Sequence, residues 1–111
     1  MLIRSQDKSC IVKMDGVVIQ TMRKEVVCYA TSDIESNSYV PLGYYGTEEK
    51  TLKVLGMIGE AYAEYEMLKN AFGGIGSTFL HKSEKQAFED LRERIKSLSV
   101  FQMPADNEVE V

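Results

Sequence analysis

One glycine-rich segment is the part of this sequence best suited to binding an anion. Residues 73–78 read Gly-Gly-Ile-Gly-Ser-Thr, and backbone N–H groups in such a segment can surround a phosphate. A Walker loop would require lysine directly before Ser77, where Gly76 stands. An anion or nucleotide site and a flexible connection between two helices therefore both stay open. The candidate anion-binding residues are Gly73, Gly74, Gly76, Ser77, Thr78, Lys82, Arg92 and Arg94.

The other reactive side chains do not form a catalytic or metal-binding pattern. His81 is the single histidine, and no metal-ligand spacing such as C-x-x-C or H-x-x-x-H is present. Cys10 and Cys28 fall on separate predicted strands, where small buried hydrophobic side chains are the simplest interpretation. Glu60 and Glu64 share a helix face, but acid–base catalysis would require a cleft that raises one pKa. We therefore predict no catalytic residue, no metal site and no cofactor.

The first half of the chain has the two-residue alternation of β-strands. An Asp15-Gly16 pair between two apolar runs is a strong signal for a tight hairpin. Pro41 cannot donate a ladder hydrogen bond, so its strand either lies at an edge or starts after Pro41. Short links between the strands favour an antiparallel meander. The predicted strands cover residues 2–5, 10–14, 17–22, 26–31 and 39–45.

The second half has helical periodicity. Thr47 is a plausible N-cap for a first helix that we expect to end at Gly73, a favourable left-handed C-cap. Ser83 and Gln86 form a capping box that starts a second helix. Residues 100–103 are a possible final edge strand. We predict an α+β fold: an antiparallel β-meander sheet of four to six strands, with two C-terminal helices packed on one face. Residues 1–104 form one domain in this scheme, and 105–111 form an acidic disordered tail.

The first predicted helix has more apolar surface than one sheet can cover. Its apolar and small positions sweep well beyond the arc of roughly 100–140° that packing on a sheet needs. Either the second helix or a second copy of the chain covers the surplus, and we favour a homodimer. Gly56 and Gly59 would let another backbone approach closely, at a cost of about 1 kcal/mol each relative to alanine. The candidate interface residues are Leu52, Gly56, Met57, Gly59, Ala63, Met67, Tyr44 and Tyr45.

Composition excludes several classes of protein. The 111 residues are 44% hydrophobic and 27% charged, which is typical of a globular domain. Two cysteines are too few for a disulfide-rich scaffold. The sequence contains no apolar run of the roughly 18–20 residues that a bilayer requires, and its N-terminus does not resemble a signal peptide. A net charge of −4 argues against generic nucleic-acid binding.

Three short patches carry a resemblance. Residues 3–8 read Ile-Arg-Ser-Gln-Asp-Lys, residues 42–50 read Leu-Gly-Tyr-Tyr-Gly-Thr-Glu-Glu-Lys, and residues 101–104 read Phe-Gln-Met-Pro. Together they resemble short accessory proteins encoded by phages, prophages and mobile elements of Firmicutes. The resemblance implies a small cytoplasmic α+β protein of a bacterial host. It supplies no catalytic motif.

Two function hypotheses follow. In the first, the chain is a non-enzymatic protein that binds and inhibits a host protein, for example a CRISPR effector, since acidic binders can occupy basic nucleic-acid channels. In the second, it sequesters a nucleotide signal between subunits of a homo-oligomer, as an anti-defence sponge acting on Thoeris-type immunity. A small enzyme is a third hypothesis, which no feature of the sequence supports.

Overall fold

Five strands, two helices and a sixth strand follow one another along the chain, in the order that the sequence predicts. The computed structural model describes residues 1–30, 38–75 and 82–111, with the backbone alone for 72–75 and 82–85. The elements are β1 Leu2–Arg4, β2 Ile11–Lys13, β3 Val17–Met22, β4 Glu25–Ala30, β5 Val40–Tyr44, α1 Glu48–Ile75, α2 Lys82–Leu98 and β6 Val100–Gln102. The predicted α+β fold class is confirmed.

The strands form two three-stranded sheets rather than one meander. The first sheet has the order β2-β1-β6 and the second the order β3-β4-β5. Gly16 does adopt the positive φ of a tight turn, at 72°. The predicted hairpin across it is nevertheless wrong, because β2 pairs with β1 while the six residues of β3 pair along all of β4. The Asp15-Gly16 turn therefore carries the chain from one sheet to the other.

The final edge strand is present but has a different direction from that expected in an antiparallel sheet. β6 lies parallel to β1, with Leu2 opposite Val100 and Arg4 opposite Gln102. The Ser99 carbonyl accepts the Leu2 N–H at 2.7 Å, and the Arg4 carbonyl accepts the Met103 N–H at 3.0 Å. The C-terminal part of the chain is thereby joined to its first strand.

The core lies between the sheets and the first half of α1. Val54 and Ile58 occur four residues apart on α1, so they share one helix face, and both are buried. On β4, Val26 and Cys28 lie two residues apart, so both side chains point into the same interior. The main cluster of buried side chains consists of Ile3, Val26, Cys28, Leu42, Tyr45, Val54, Ile58, Met103 and Val109.

The segment after β6 is folded against this core. A 3₁₀ turn covers Asp106–Glu108, and the Val109 side chain is only 4% exposed. The Asp106 carboxylate accepts the Gly46 N–H at 2.6 Å and pairs with Lys50 at 3.3 Å. The expectation of a disordered tail over 105–111 is therefore wrong for residues 105–109. The buried Val109 side chain and the contacts of the Asp106 carboxylate with the start of α1 hold this segment in place.

The two helices pack against each other along the second half of α1. The Arg94 guanidinium on α2 donates to one Glu64 oxygen on α1 at 2.7 and 3.1 Å. The predicted helix end at Gly73 is wrong, because α1 runs on to Ile75. Glycine tolerates helical as well as left-handed backbone geometry, so the sequence alone did not fix this end. Among the described residues, no helix is long and apolar enough to span a bilayer.

Candidate functional site

Five apolar or small residues form a continuous strip on the exposed side of α1. Spacings of four, three, four and four residues place them on one helix face. Leu52 is 59% exposed and Met67 is 64% exposed, although both side chains are large and apolar. We call this strip the outer face of α1; it consists of Leu52, Gly56, Gly59, Ala63 and Met67, all of which are exposed.

The outer face remains exposed because other faces of α1 make the contacts within the chain. Thr51, Val54 and Ile58 turn toward the sheets and are buried. The ion pair between Glu64 and Arg94 marks the flank on which α2 lies. The surplus apolar surface that the sequence indicates is therefore not covered by α2 within the described residues.

The two glycines of the outer face have no steric role within the described chain. A Cβ atom built on Gly56 or on Gly59 meets no atom within 4 Å. Each glycine nevertheless costs the helix about 1 kcal/mol relative to alanine. Gly43 is different, because a Cβ there would lie 3.0 Å from the Tyr45 ring. Packing explains Gly43, whereas only something outside the described chain would require Gly56 and Gly59.

The remaining candidate interface residues divide between surface and core. Tyr44 is 60% exposed, and Met57 is half-buried. Tyr45 was a candidate for the interface, but its side chain is fully buried and its hydroxyl donates to the Pro104 carbonyl at 2.8 Å. Burial, with a smaller contribution from Asp106, raises the Tyr45 pKa to about 12. The two tyrosines do point to opposite sides, as their successive positions require.

The candidate anion-binding residues do not form a site in the described part of the chain. Gly73 and Gly74 belong to α1, so their N–H groups sit within the helical hydrogen-bonding pattern instead of lining an open loop. Arg94 is already paired with Glu64. Arg92 is exposed on α2. Gly76, Ser77 and Thr78 lie outside the described residues, and so does the side chain of Lys82.

A cleft that the sequence did not indicate opens at the tip of the β3–β4 hairpin. It encloses about 830 Å³. Met22 pairs with Glu25 across the hairpin, and Glu25 pairs with Tyr44 on β5, so these three residues form a row across one sheet face. We call it the aromatic cleft; its lining residues are Met22, Arg23, Lys24, Glu25, Tyr39, Tyr44 and Glu48.

The hairpin tip beside the aromatic cleft is held by the core. Arg23 has a φ of 58°, a conformation that is uncommon for residues other than glycine. Its carbonyl accepts the Thr51 hydroxyl at 3.5 Å, and the Lys24 carbonyl accepts the Tyr45 N–H at 2.8 Å. These bonds fix the backbone that carries two exposed basic side chains. The sequence could not indicate the cleft, because the strand register is what brings Tyr44 beside this tip.

Cys28 is shielded by burial, and Asp7 has hydrogen-bond partners within the chain. Burial raises the pKa of the Cys28 thiol, which disfavours the reactive thiolate. Hydrogen bonds from Ser9 and Ser5 lower the Asp7 pKa to about 2. His81 lies outside the described residues. Within the residues that the structure describes, no group of three His, Cys, Asp or Glu side chains could hold a metal ion.

The three patches that carry the resemblance meet at one place in the fold. The Gln6 side chain donates to the Pro104 carbonyl at 3.2 Å and accepts the Tyr44 N–H at 2.9 Å. Gln102 donates to the Ser5 carbonyl at 2.9 Å. These contacts join the segments of β1, β5 and β6, so Gln6 and Gln102 have a structural role.

Comparison of the chain with protein-family models, with curated proteins and with solved structures finds no match in any of the three.

Proposed function

We propose that this chain is a non-enzymatic binding protein that forms a homodimer through the outer face of α1. In this proposal the dimer acts in the cytoplasm of a bacterial host, where it binds and inhibits a host protein. The observation that supports self-association most strongly is the pair of glycines, Gly56 and Gly59, which lie in open space on an otherwise apolar helix strip. Both glycines weaken the helix, and the close approach of a second backbone would explain why glycine occupies these positions.

The order of side chains along the outer face suits a second copy in antiparallel orientation. With the two helices crossing near Gly59, Leu52 of one copy faces Met67 of the other, and Gly56 faces Ala63. Large side chains then meet at both ends while small residues meet at the centre, which permits close contact between the helices. A two-fold axis requires this self-complementarity, because each copy contributes the same surface.

The expected association is weak. Complete burial of a leucine or methionine contributes about 1.5–3 kcal/mol, so the four partly exposed side chains of a dimer contribute on the order of 4–7 kcal/mol. Association itself costs about 4–15 kcal/mol. Close packing of the two backbones at the glycines must therefore supply much of the affinity, and we expect a dissociation constant in the high-micromolar to millimolar range.

Sedimentation velocity over a concentration series tests the dimer. The unmodified chain should shift from monomer to dimer with increasing concentration, and Gly59→Leu should remain monomeric because its side chain separates the helices. Glu89→Leu adds the same side chain at an exposed position of α2 and serves as the control. A chain that stays monomeric throughout, or a Gly59→Leu variant that dimerises normally, would contradict the proposal.

Inhibition of a host protein is supported by the acidic balance of the chain and by the resemblance described above. A net charge of −4 suits a partner with a basic nucleic-acid channel. The test measures plasmid interference by a CRISPR effector in a bacterial host that expresses the chain. We expect higher transformation efficiency with the unmodified chain than with Gly59→Leu at equal protein levels. Equal efficiency with and without the chain would remove the support for this target.

A further inference from the structure

The aromatic cleft has the size and the chemistry of a small-ligand site. Its volume of about 830 Å³ falls within the roughly 300–1,000 Å³ that is typical of such sites. Glu25 is the first residue of β4, and the next residue, Val26, points into the core. Because successive strand residues point to opposite faces, the Glu25 side chain points away from the core. We propose that this cleft binds a nucleoside phosphate. The proposal does not depend on self-association through α1.

Two tyrosines offer the cleft a surface for a planar ring. Tyr39 is 44% exposed and Tyr44 is 60% exposed, and both line the same space. In contrast, the Tyr29 hydroxyl donates to Gln20 at 2.8 Å, and the Tyr45 hydroxyl donates to Pro104. Exposed tyrosine rings stack on nucleobases of any type. These two rings therefore suit the base of a nucleotide.

The charged side chains of the cleft match the polar ends of the same ligand. Arg23 and Lys24 lie at the hairpin tip, where their backbone is held by Thr51 and Tyr45. Within the described residues, neither forms an ion pair, and the same is true of Glu25 and Glu48. Arginine and lysine bind phosphate oxygens, while carboxylates accept the amino hydrogens of a base. The set as a whole complements a base joined to a phosphate.

A peptide strand is a poorer candidate for this cleft. A peptide that extends a sheet needs unpaired backbone groups on an edge strand. On β5 two of these groups are already used, because the Leu42 carbonyl accepts the Gln6 N–H at 2.7 Å and the Tyr44 N–H donates to the Gln6 side chain at 2.9 Å. A ligand of the cleft must therefore be held by side chains, which favours a small molecule.

Titration calorimetry with four probes, the adenosine, guanosine, cytidine and uridine monophosphates, tests the proposal on the full chain. We expect at least one to bind, and the matching nucleoside without phosphate to bind about tenfold more weakly, since a charge-assisted contact is lost. Tyrosine and phenylalanine are titrated as free amino acids for comparison. The ligand class is wrong if none of the four nucleotides binds at millimolar concentration, or if only the amino acids bind.

Two pairs of variants locate the site. Arg23→Asn removes the guanidinium while asparagine tolerates the positive φ, and it should weaken binding about tenfold. Lys13→Asn, which removes an exposed positive charge from β2, should leave affinity unchanged. Tyr44→Phe keeps the ring and the affinity, whereas Tyr44→Ala should reduce affinity at least tenfold. Circular dichroism confirms that each variant is folded. Equal affinities within both pairs would overturn the site.

Discussion

The sheet end of the molecule and the outer face of α1 perform different tasks. At the sheet end the chain is fixed: Thr51, Val54 and Ile58 of α1 are buried, and Asp106 holds Lys50 at the helix start. Along the outer face of the same helix, large apolar side chains are left exposed at Leu52 and Met67. Stability is therefore concentrated at the sheet end, whereas surface available for binding is concentrated along the outer face. Mutations in the two regions should have separable effects.

The largest difference should come from truncating one side chain in each region. Tyr45→Ala removes a fully buried ring and its hydrogen bond to Pro104, and it should lower the unfolding free energy by about 3–5 kcal/mol. Met67→Ala should change it by less than about 0.5 kcal/mol, because the residue is exposed. Urea unfolding of both variants, under conditions that keep the chain monomeric, measures the contrast. Similar losses in the two variants would contradict the division between the sheet end and the outer face.

Alkaline pH should weaken the sheet end through Tyr45. Its pKa rises from 10.0 to about 12 on folding, so between these values the unfolded chain binds fewer protons than the folded one. The unfolding free energy should therefore fall as pH rises through this interval, by up to about 2–3 kcal/mol. Urea unfolding at several alkaline pH values measures the slope. Tyr45→Phe should flatten it, while Tyr62→Phe should not; an unchanged slope in Tyr45→Phe would assign the effect to other groups.

Alanine in place of glycine should have opposite signs in the two regions. Gly56→Ala and Gly59→Ala each add a Cβ in open space, and each should stabilise the monomer by about 1 kcal/mol through helix propensity. Gly43→Ala should destabilise it, because the new Cβ lies 3.0 Å from the Tyr45 ring. Thermal unfolding at low protein concentration gives the sign for each variant. Destabilisation by Gly59→Ala would indicate a role for this glycine inside the monomer.

The smallest expected effect is a loss of stability at acidic pH that arises from Asp7, in the turn between β1 and β2. The folded-state pKa of Asp7 is about 2, below its ordinary value of 3.8, because Ser9 and Ser5 donate to the carboxylate. The resulting stabilisation is fully present above the ordinary pKa and is lost as pH falls toward 2. Asp7→Asn should therefore reduce the dependence of stability on pH in this range. Asp15→Asn is the control for loss of one charge, and equal curves for the two variants would contradict this assignment.

Local patterns predicted most of the elements. Alternation located β3 and β4, and Ser83, which was predicted to start the second helix, lies one residue after the first described residue of α2. The surplus apolar surface of α1 could also be predicted from the sequence, because helical periodicity fixes which residues share a face. What the sequence could not provide was pairing over long distances. The separation of the strands into two sheets, and the insertion of β6 beside β1, depend on contacts that local patterns do not encode.

The candidate sites show the same limit. Tyr44 and Tyr45 were both candidate interface residues, but Tyr45 is buried in the core, where its hydroxyl donates to the Pro104 carbonyl, and Tyr44 alone of the two is exposed. The glycine-rich segment was a candidate anion site because glycine is compatible with a loop. Glycine is equally compatible with a helix, and Gly73 and Gly74 are part of α1. The aromatic cleft could not be predicted from the sequence, because Arg23 and Tyr44 become neighbours only through the register of three strands.

The parallel pairing of β1 with β6 has a consequence for synthesis of the chain. Leu2 leaves the ribosome long before its partner Val100, because β2 to β5 and both helices lie between them in the sequence. The first sheet therefore cannot be completed until β6 has been synthesised, and Ile3 lacks its buried neighbours Met103 and Val109 until then. A premature stop codon just before β6 would remove these late-arriving residues together, leaving a nascent product that quality-control proteases can degrade.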